Sequence, residues 1–225
     1  MKVFLKKSFL TLLLCSVSNT PALADTGNIA VGLKAGTPGI GLEVTAGITS
    51  AFNLRTGFNN LGLNGNATKS DIDYDTDVTL SSIPVLIDWL PFEGSGYHVT
   101  GGIFINNNEI KGSAKSQASY KIGDQEYSAG EVGTLTGKMD YNSISPYFGI
   151  GWGNAVGKDT RFSVSMNIGV ILQGNPDVGI NADGTLKNNS LFQKELDKEA
   201  ENLKNEIDEY EYFPVITAGF SYKLL

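Results

Sequence analysis

Arg161-Phe162-Ser163-Val164-Ser165-Met166-Asn167-Ile168-Gly169-Val170-Ile171-Leu172-Gln173 decides the fold. Every second residue from Phe162 to Leu172 is apolar, and the residues between are mostly small or polar. A period of two belongs to a strand with one apolar and one polar face. Strands of soluble proteins average roughly 5–6 residues, whereas a tilted transmembrane strand needs about 9–11. The length of this run therefore points to a membrane-spanning strand.

The same alternation recurs along the chain. Ile29, Val31 and Leu33 alternate with Ala30, Gly32 and Lys34; after Thr37-Pro38-Gly39, Ile40, Leu42 and Val44 alternate with Gly41, Glu43 and Thr45. Ile144, Phe148, Ile150 and Trp152 continue the pattern, as do Ile216, Ala218, Phe220, Tyr222 and Leu224. Eight strands are expected: 28–36, 39–49, 52–61, 72–90, 96–107, 143–153, 160–173 and 211–224. In 72–90 the apolar phase changes at Ser81-Ser82, from Tyr74, Val78 and Leu80 to Ile83, Val85, Ile87 and Trp89. One extra residue flips the faces of a strand, so a β-bulge is expected there. The connections at 49–52, 91–95 and 154–159 are short, and those at 62–71, 108–142 and 174–210 are long. Short turns at one end and long loops at the other are the asymmetry of an outer-membrane barrel.

Composition narrows the alternatives. The chain has 225 residues, 17 Lys plus Arg, 24 Asp plus Glu, one His and one Cys. An acidic balance argues against nucleic acid as a partner. One Cys excludes a disulfide framework, and no cofactor is expected. Met1 to Ala24 has a basic start at Lys2, Lys6 and Lys7, an apolar run from Phe9 to Val17, and Ala22-Leu23-Ala24 at its end. This is the pattern of a secretory signal peptide, too short to span a bilayer as a helix. Residues 25–225 then form a single barrel domain. With the three leader lysines gone, fourteen bases face twenty-four acids, a net charge of −10.

Phe52, Tyr97 and Phe162 begin strands running one way, and Trp89, Trp152 and Tyr222 end strands running the other. All six would lie at one height as an interfacial aromatic girdle. The inward positions carry Lys34, Glu43, Arg55, Asp88, Arg161 and Lys223, which need partners inside a narrow barrel. Lys34 and Glu43 face each other across the first hairpin.

Here the chain resembles the small eight-stranded bacterial outer-membrane barrels, the protein A-type and protein W-type group. The resemblance rests on the alternating strands, the leader, Tyr147-Phe148-Gly149-Ile150-Gly151-Trp152-Gly153, and the terminal Ala218-Gly219-Phe220-Ser221-Tyr222-Lys223-Leu224-Leu225. It implies an all-β, antiparallel, up-and-down transmembrane β-barrel in the outer membrane of a Gram-negative cell envelope. Outer-membrane lipid and the barrel-assembly machinery are its implied partners. The chain ends in Leu225, where such proteins usually end in an aromatic residue.

Three functions are compatible with this architecture. The leading one is a non-enzymatic, porin-like barrel that is structural or passes small solutes; the second is a surface-loop adhesin or binding protein. The third is a lipid-modifying enzyme using His98, with Thr100 two residues on along the same face. Asp71, Asp73, Asp75 and Asp77 point one way on a strand and are weak candidates for divalent-cation binding. Leu196, Ala200, Leu203, Ile207 and Tyr210 recur at helical spacing, with Ser190 as N-cap, so an amphipathic helix over 190–210 is expected in the last outer loop.

Overall fold

The computed structural model describes residues 27–69, 72–92, 94–114, 118–123, 125–157, 161–206 and 211–225. The leader, Asp71, Ile207 and Tyr210 lie outside the described residues. Eight strands form the frame: β1 (Ile29–Gly36), β2 (Gly39–Thr49), β3 (Phe52–Lys69), β4 (Ile72–Trp89), β5 (Tyr97–Asn106), β10 (Ile144–Trp152), β11 (Phe162–Leu172) and β13 (Tyr212–Lys223). Each pairs antiparallel with the next, and β1 pairs with β13 from Ala30↔Lys223 to Gly36↔Thr217. The sheet is thus a closed ring of eight strands. Closure leaves no edge along these segments, so their backbone donors and acceptors are satisfied without water.

Alternation decides which side chains face in. Leu33, Ile40, Leu42, Phe148, Ile168 and Ile216 are exposed on the outside of the ring, and the residues between them are buried or half-buried within. The β1–β2 turn is only Thr37-Pro38. Gly39 follows at φ +106°, where a Cβ would press on the carbonyl of Asn60, so this tight turn is built for glycine.

No bulge occurs at Ser81-Ser82. β3 and β4 keep one register from Phe52↔Trp89 to Lys69↔Ile72, and odd residues of β4 stay on the exposed face on both sides of that pair. The surroundings change instead of the strand. Below Ser82 the even side chains line the ring and the odd ones, Ile83 to Trp89, are the exposed apolar ones. Above it β4 leaves the ring; Asp73, Asp75 and Asp77 are exposed, and Tyr74 packs into a second core on the other face. The β2–β3 pair instead shifts register between Gly47 and Thr49.

The two longest connections fold into a cap. β6 (Glu109–Ala114), β9 (Leu135–Asp140) and β12 (Asp177–Ala182) extend the sheet outward from the free half of β4. β7 (Ser119–Ile122) and β8 (Gln125–Ser128) form a hairpin, followed by a short helix α1 (Ala129–Val132). The long helix α2 (Ser190–Glu206) lies on β12 and β7. Tyr120, Ile122, Val132, Leu135, Phe192 and Leu196 form the cap core, so Phe192 and Leu196 of α2 are buried there, while Ala200 and Leu203 are half-buried. The N-cap is Asn189 instead of Ser190: Asn189 Oδ1 accepts from the Leu191 and Phe192 N–H groups at 2.9 and 3.1 Å. Asn189→Ala should destabilise the cap by about 1 kcal/mol and Ser190→Ala should leave it unchanged, as measured by hydrogen exchange of the helix amides.

Burial, with smaller contributions from Glu199 and Tyr120, pushes the Tyr74 phenol up to about 12 from its ordinary 10. The folded cap therefore holds this proton more tightly than the unfolded chain does. Its stabilisation is complete below pH ~10 and is lost as pH rises toward about 12. Loosening of the cap in that window, absent in Tyr74→Phe, is the expected result by tyrosine absorbance and amide exchange.

Candidate functional site: the interior of the ring

Charge is concentrated inside. Lys34 Nζ lies 2.8 Å from Glu43 Oε2 across the first hairpin, with side chains 10% and 12% exposed. Arg55, on β3, reaches Glu43 Oε2 with Nη1 at 3.5 Å and Asp88 Oδ2 with Nε at 2.5 Å. Arg55 Nη2 donates to Asp88 Oδ1 at 2.8 Å and to Thr100 Oγ1 at 3.3 Å, and the Thr100 hydroxyl donates to Asp88 Oδ1 at 2.7 Å. The strands carry these residues at inward positions, so four charges and a hydroxyl from β1 to β5 form one chain of contacts. Two positive and two negative groups cancel, which is the condition for holding charge away from water.

The other two charges sit elsewhere. Lys223 Nζ donates to the Gly157 carbonyl at 2.7 Å. Arg161 precedes β11 and is exposed, and its Nη1 donates to Tyr222 Oη at 3.5 Å. Its carbonyl still accepts from the Lys223 N–H at 2.8 Å, but its exposed side chain belongs to the rim and not to the interior network.

Layers on both sides of the charges close the ring. Leu86, Phe104, Tyr147, Ile171 and Val215 form an apolar cluster inside it, with the Phe104 and Tyr147 rings 5.3 Å apart. Strand alternation alone did not reveal this cluster, because its members are single apolar residues on otherwise polar faces. Gly149 and Gly169 offered a signal: a Cβ on either would meet the Tyr147 hydroxyl, so these paired glycines give the ring of Tyr147 its space. At the turn end, residues 154–157 fold inward. Val156 is fully buried against Ala30, and Asn154 Oδ1 accepts from Asn53 Nδ2 at 3.1 Å and from the Val156 N–H at 3.2 Å.

His98 is buried in the interior, with Nδ1 3.2 Å from the Gly96 carbonyl and Nε2 2.9 Å from Asn167 Oδ1. Thr100 gives its proton to Asp88 and not to His98. Neither residue is on the outer face.

The six aromatics form three direct cross-strand pairs at the end with short turns: Phe52↔Trp89, Tyr97↔Trp152 and Phe162↔Tyr222. Ring centroids are 5.2 Å apart in the second pair and 5.1 Å in the third. Asp73, Asp75 and Asp77 are exposed on one face of β4, and Asp71 lies outside the described residues. Among the described residues no group of three or more His, Cys, Asp or Glu is placed to hold a metal ion.

This class of closed antiparallel ring has solved counterparts. The chain is similar to Acinetobacter baumannii CarO2, with a TM-score of 0.56, 20% identity, and coverage of 88% of this chain and 99% of that one. It is also similar to Acinetobacter baumannii CarO, with a TM-score of 0.52, 20% identity, and coverage of 86% and 96%. At that identity the likeness establishes the fold. No family model and no curated protein matches the sequence.

Proposed function

We propose that this protein is a non-enzymatic, integral β-barrel of the bacterial outer membrane, structural in the conformation described, with its lumen closed. The observation that carries the reading is the inverted distribution of polarity: apolar side chains cover the outside of the ring, while Lys34, Glu43, Arg55 and Asp88 are held inside. A water-soluble ring would place them the other way round. The eleven residues of β11, at ~3.3 Å each and tilted ~40°, rise roughly 25–30 Å, the height of an outer-membrane apolar band. The paired aromatics supply one interfacial girdle. The phase change at Ser81-Ser82 then marks the opposite membrane boundary, above which the cap stands in water.

The fold likeness to two chains of Acinetobacter baumannii supports the same location. The strand number supports a place among the small eight-stranded barrels. The secretory leader, the assembly machinery and outer-membrane lipid belong to this reading as the route and the solvent of the barrel. Neutral pairing of the interior charges, the Tyr147 cluster and the inward turn at Asn154 favour a structural barrel over a steady solute path. The buried, backbone-tied His98 favours a structural role over lipid chemistry.

The protein should fractionate with outer membranes, need detergent for extraction and run faster on gels before boiling than after. Reconstituted in planar bilayers, it should give no discrete conductance steps. Solubility without detergent would overturn the location, and regular steps would overturn the closed lumen. A cap with its own core also favours a second reading, a surface-binding role. Deleting 184–208 would abolish binding to cells or matrix if that reading holds.

A further inference from the structure

One strand edge of the wall above Ser81-Ser82 has no strand beside it. β2 pairs with β3 only as far as Ile40↔Asn60, because the first turn ends it there, while β3 runs on to Lys69 with β4 along one side. Among the described residues no strand lies along the other side. Alternate residues of 61–68, about four of the eight, therefore turn their N–H and C=O groups away from β4. Natural edges of this kind are usually blunted by charge, proline or a bulge. Leu61-Gly62-Leu63-Asn64-Gly65-Asn66-Ala67-Thr68 has no charged residue and no proline, and its register with β4 is unbroken.

The two faces beside this edge differ. On the outer face Asn64 and Asn66 lie opposite Asp77 and Asp75, which are exposed. Asn66, with its amide oriented to donate, bonds Asp75 Oδ1 at 2.8 Å, so that carboxylate leans toward the edge. Lys111, on the far side of β4, pairs with Glu109 at 2.5 Å. On the cap face Leu63 lies opposite Val78 and is 52% exposed. A Cβ on Gly62 or Gly65 would meet nothing within 4 Å, so neither face is covered at those positions.

We propose that this edge takes up an extended cationic peptide as one more antiparallel strand. Main-chain hydrogen bonds along 61–68 hold it, and its alternate side chains select it. Lysine or arginine on the outer face comes within reach of Asp75 and Asp77, two strands and about 10 Å of backbone away. Apolar residues on the other face cover Leu63. An acidic strand would meet the carboxylates with like charge. The edge stands above the boundary at Ser81-Ser82 and needs neither the closed lumen nor the membrane, so the inference goes beyond both.

The test uses a fluorescein-labelled eight-residue peptide of alternating lysine and valine, with the full chain in detergent. Binding should be saturable by anisotropy and should slow hydrogen exchange of the amides in 61–68. A glutamate–valine peptide should not bind. All lysine N–H groups of an extended strand face one edge and all valine N–H groups the other. Of two peptides N-methylated on lysines or on valines, with equal charge, one should lose binding and the other keep it. Asp75→Asn combined with Asp77→Asn should weaken binding about 5-fold at low salt. Leu63→Lys, a change at an exposed position, should weaken it as well. No binding to the wild type, equal binding of the two N-methylated peptides, or unchanged exchange in 61–68 overturns the proposal. Slowed exchange there on raising protein concentration alone would assign the edge to a second copy and overturn it too.

Discussion

Arg55→Ala destabilises the folded ring by about 3–5 kcal/mol, the cost of leaving buried charge without its partner. Arg55 touches both Glu43 and Asp88. Its loss leaves Glu43 with Lys34, but leaves Asp88, at 3% exposure, with one hydroxyl donor. The carboxylate must then draw in water or a proton, and the apolar cluster and the inward turn leave little room for water. Urea unfolding in lipid vesicles, followed by tryptophan fluorescence, measures the loss. Arg55→Met combined with Asp88→Asn should recover most of it, because removing both charges removes the desolvation problem and leaves the Lys34–Glu43 pair in place. A loss below about 1 kcal/mol in Arg55→Ala would mean that the interior is hydrated.

Ile168→Arg separates a membrane ring from a soluble one. Ile168 is 57% exposed and lies between Ile150 on β10 and Ile216 on β13. In water, an exposed isoleucine changed to arginine alters stability by no more than about 0.5 kcal/mol. On the lipid face of a barrel near mid-height the same change costs about 2–4 kcal/mol. Thr79→Arg, on the exposed face of β4 above Ser81, should cost close to nothing in the same vesicles. Equal effects of the two substitutions would overturn both the membrane location and the boundary drawn at Ser81-Ser82.

That boundary shows where sequence and structure divide the work. The period of two read in 162–172 gives each residue a side, and sidedness is local geometry, so the ring strands were legible to within a residue or two except at the long end of β3. The change at Ser81-Ser82 was legible too, but its meaning was not. A shift in apolar phase can come from an inserted residue or from a change of solvent around an unbroken strand, and only the pairing with β3 and β6 separates them. A helix over 190–210 was readable from its spacing, and α2 occupies Ser190–Glu206 of it among the described residues. Its place was not, because burying Phe192 and Leu196 depends on β7 and its neighbours, about 70 residues earlier in the chain, as well as on β12.

The interior shows the same limit. Inward positions of Lys34, Glu43, Arg55 and Asp88 follow from alternation. That Arg55 joins Glu43 to Asp88, that Tyr147 lies over Gly149 and Gly169, and that Asn154 turns in to close one end do not follow from it. Each of these needs the relative stagger of neighbouring strands, set by turn geometry and by closure of β1 on β13. Which residues face out and which face in is already written in the alternation, because a strand's side chains alternate whatever it pairs with. Which inward residues meet emerges on folding, because contact across a ring is a property of the register around all eight strands and of none of them alone.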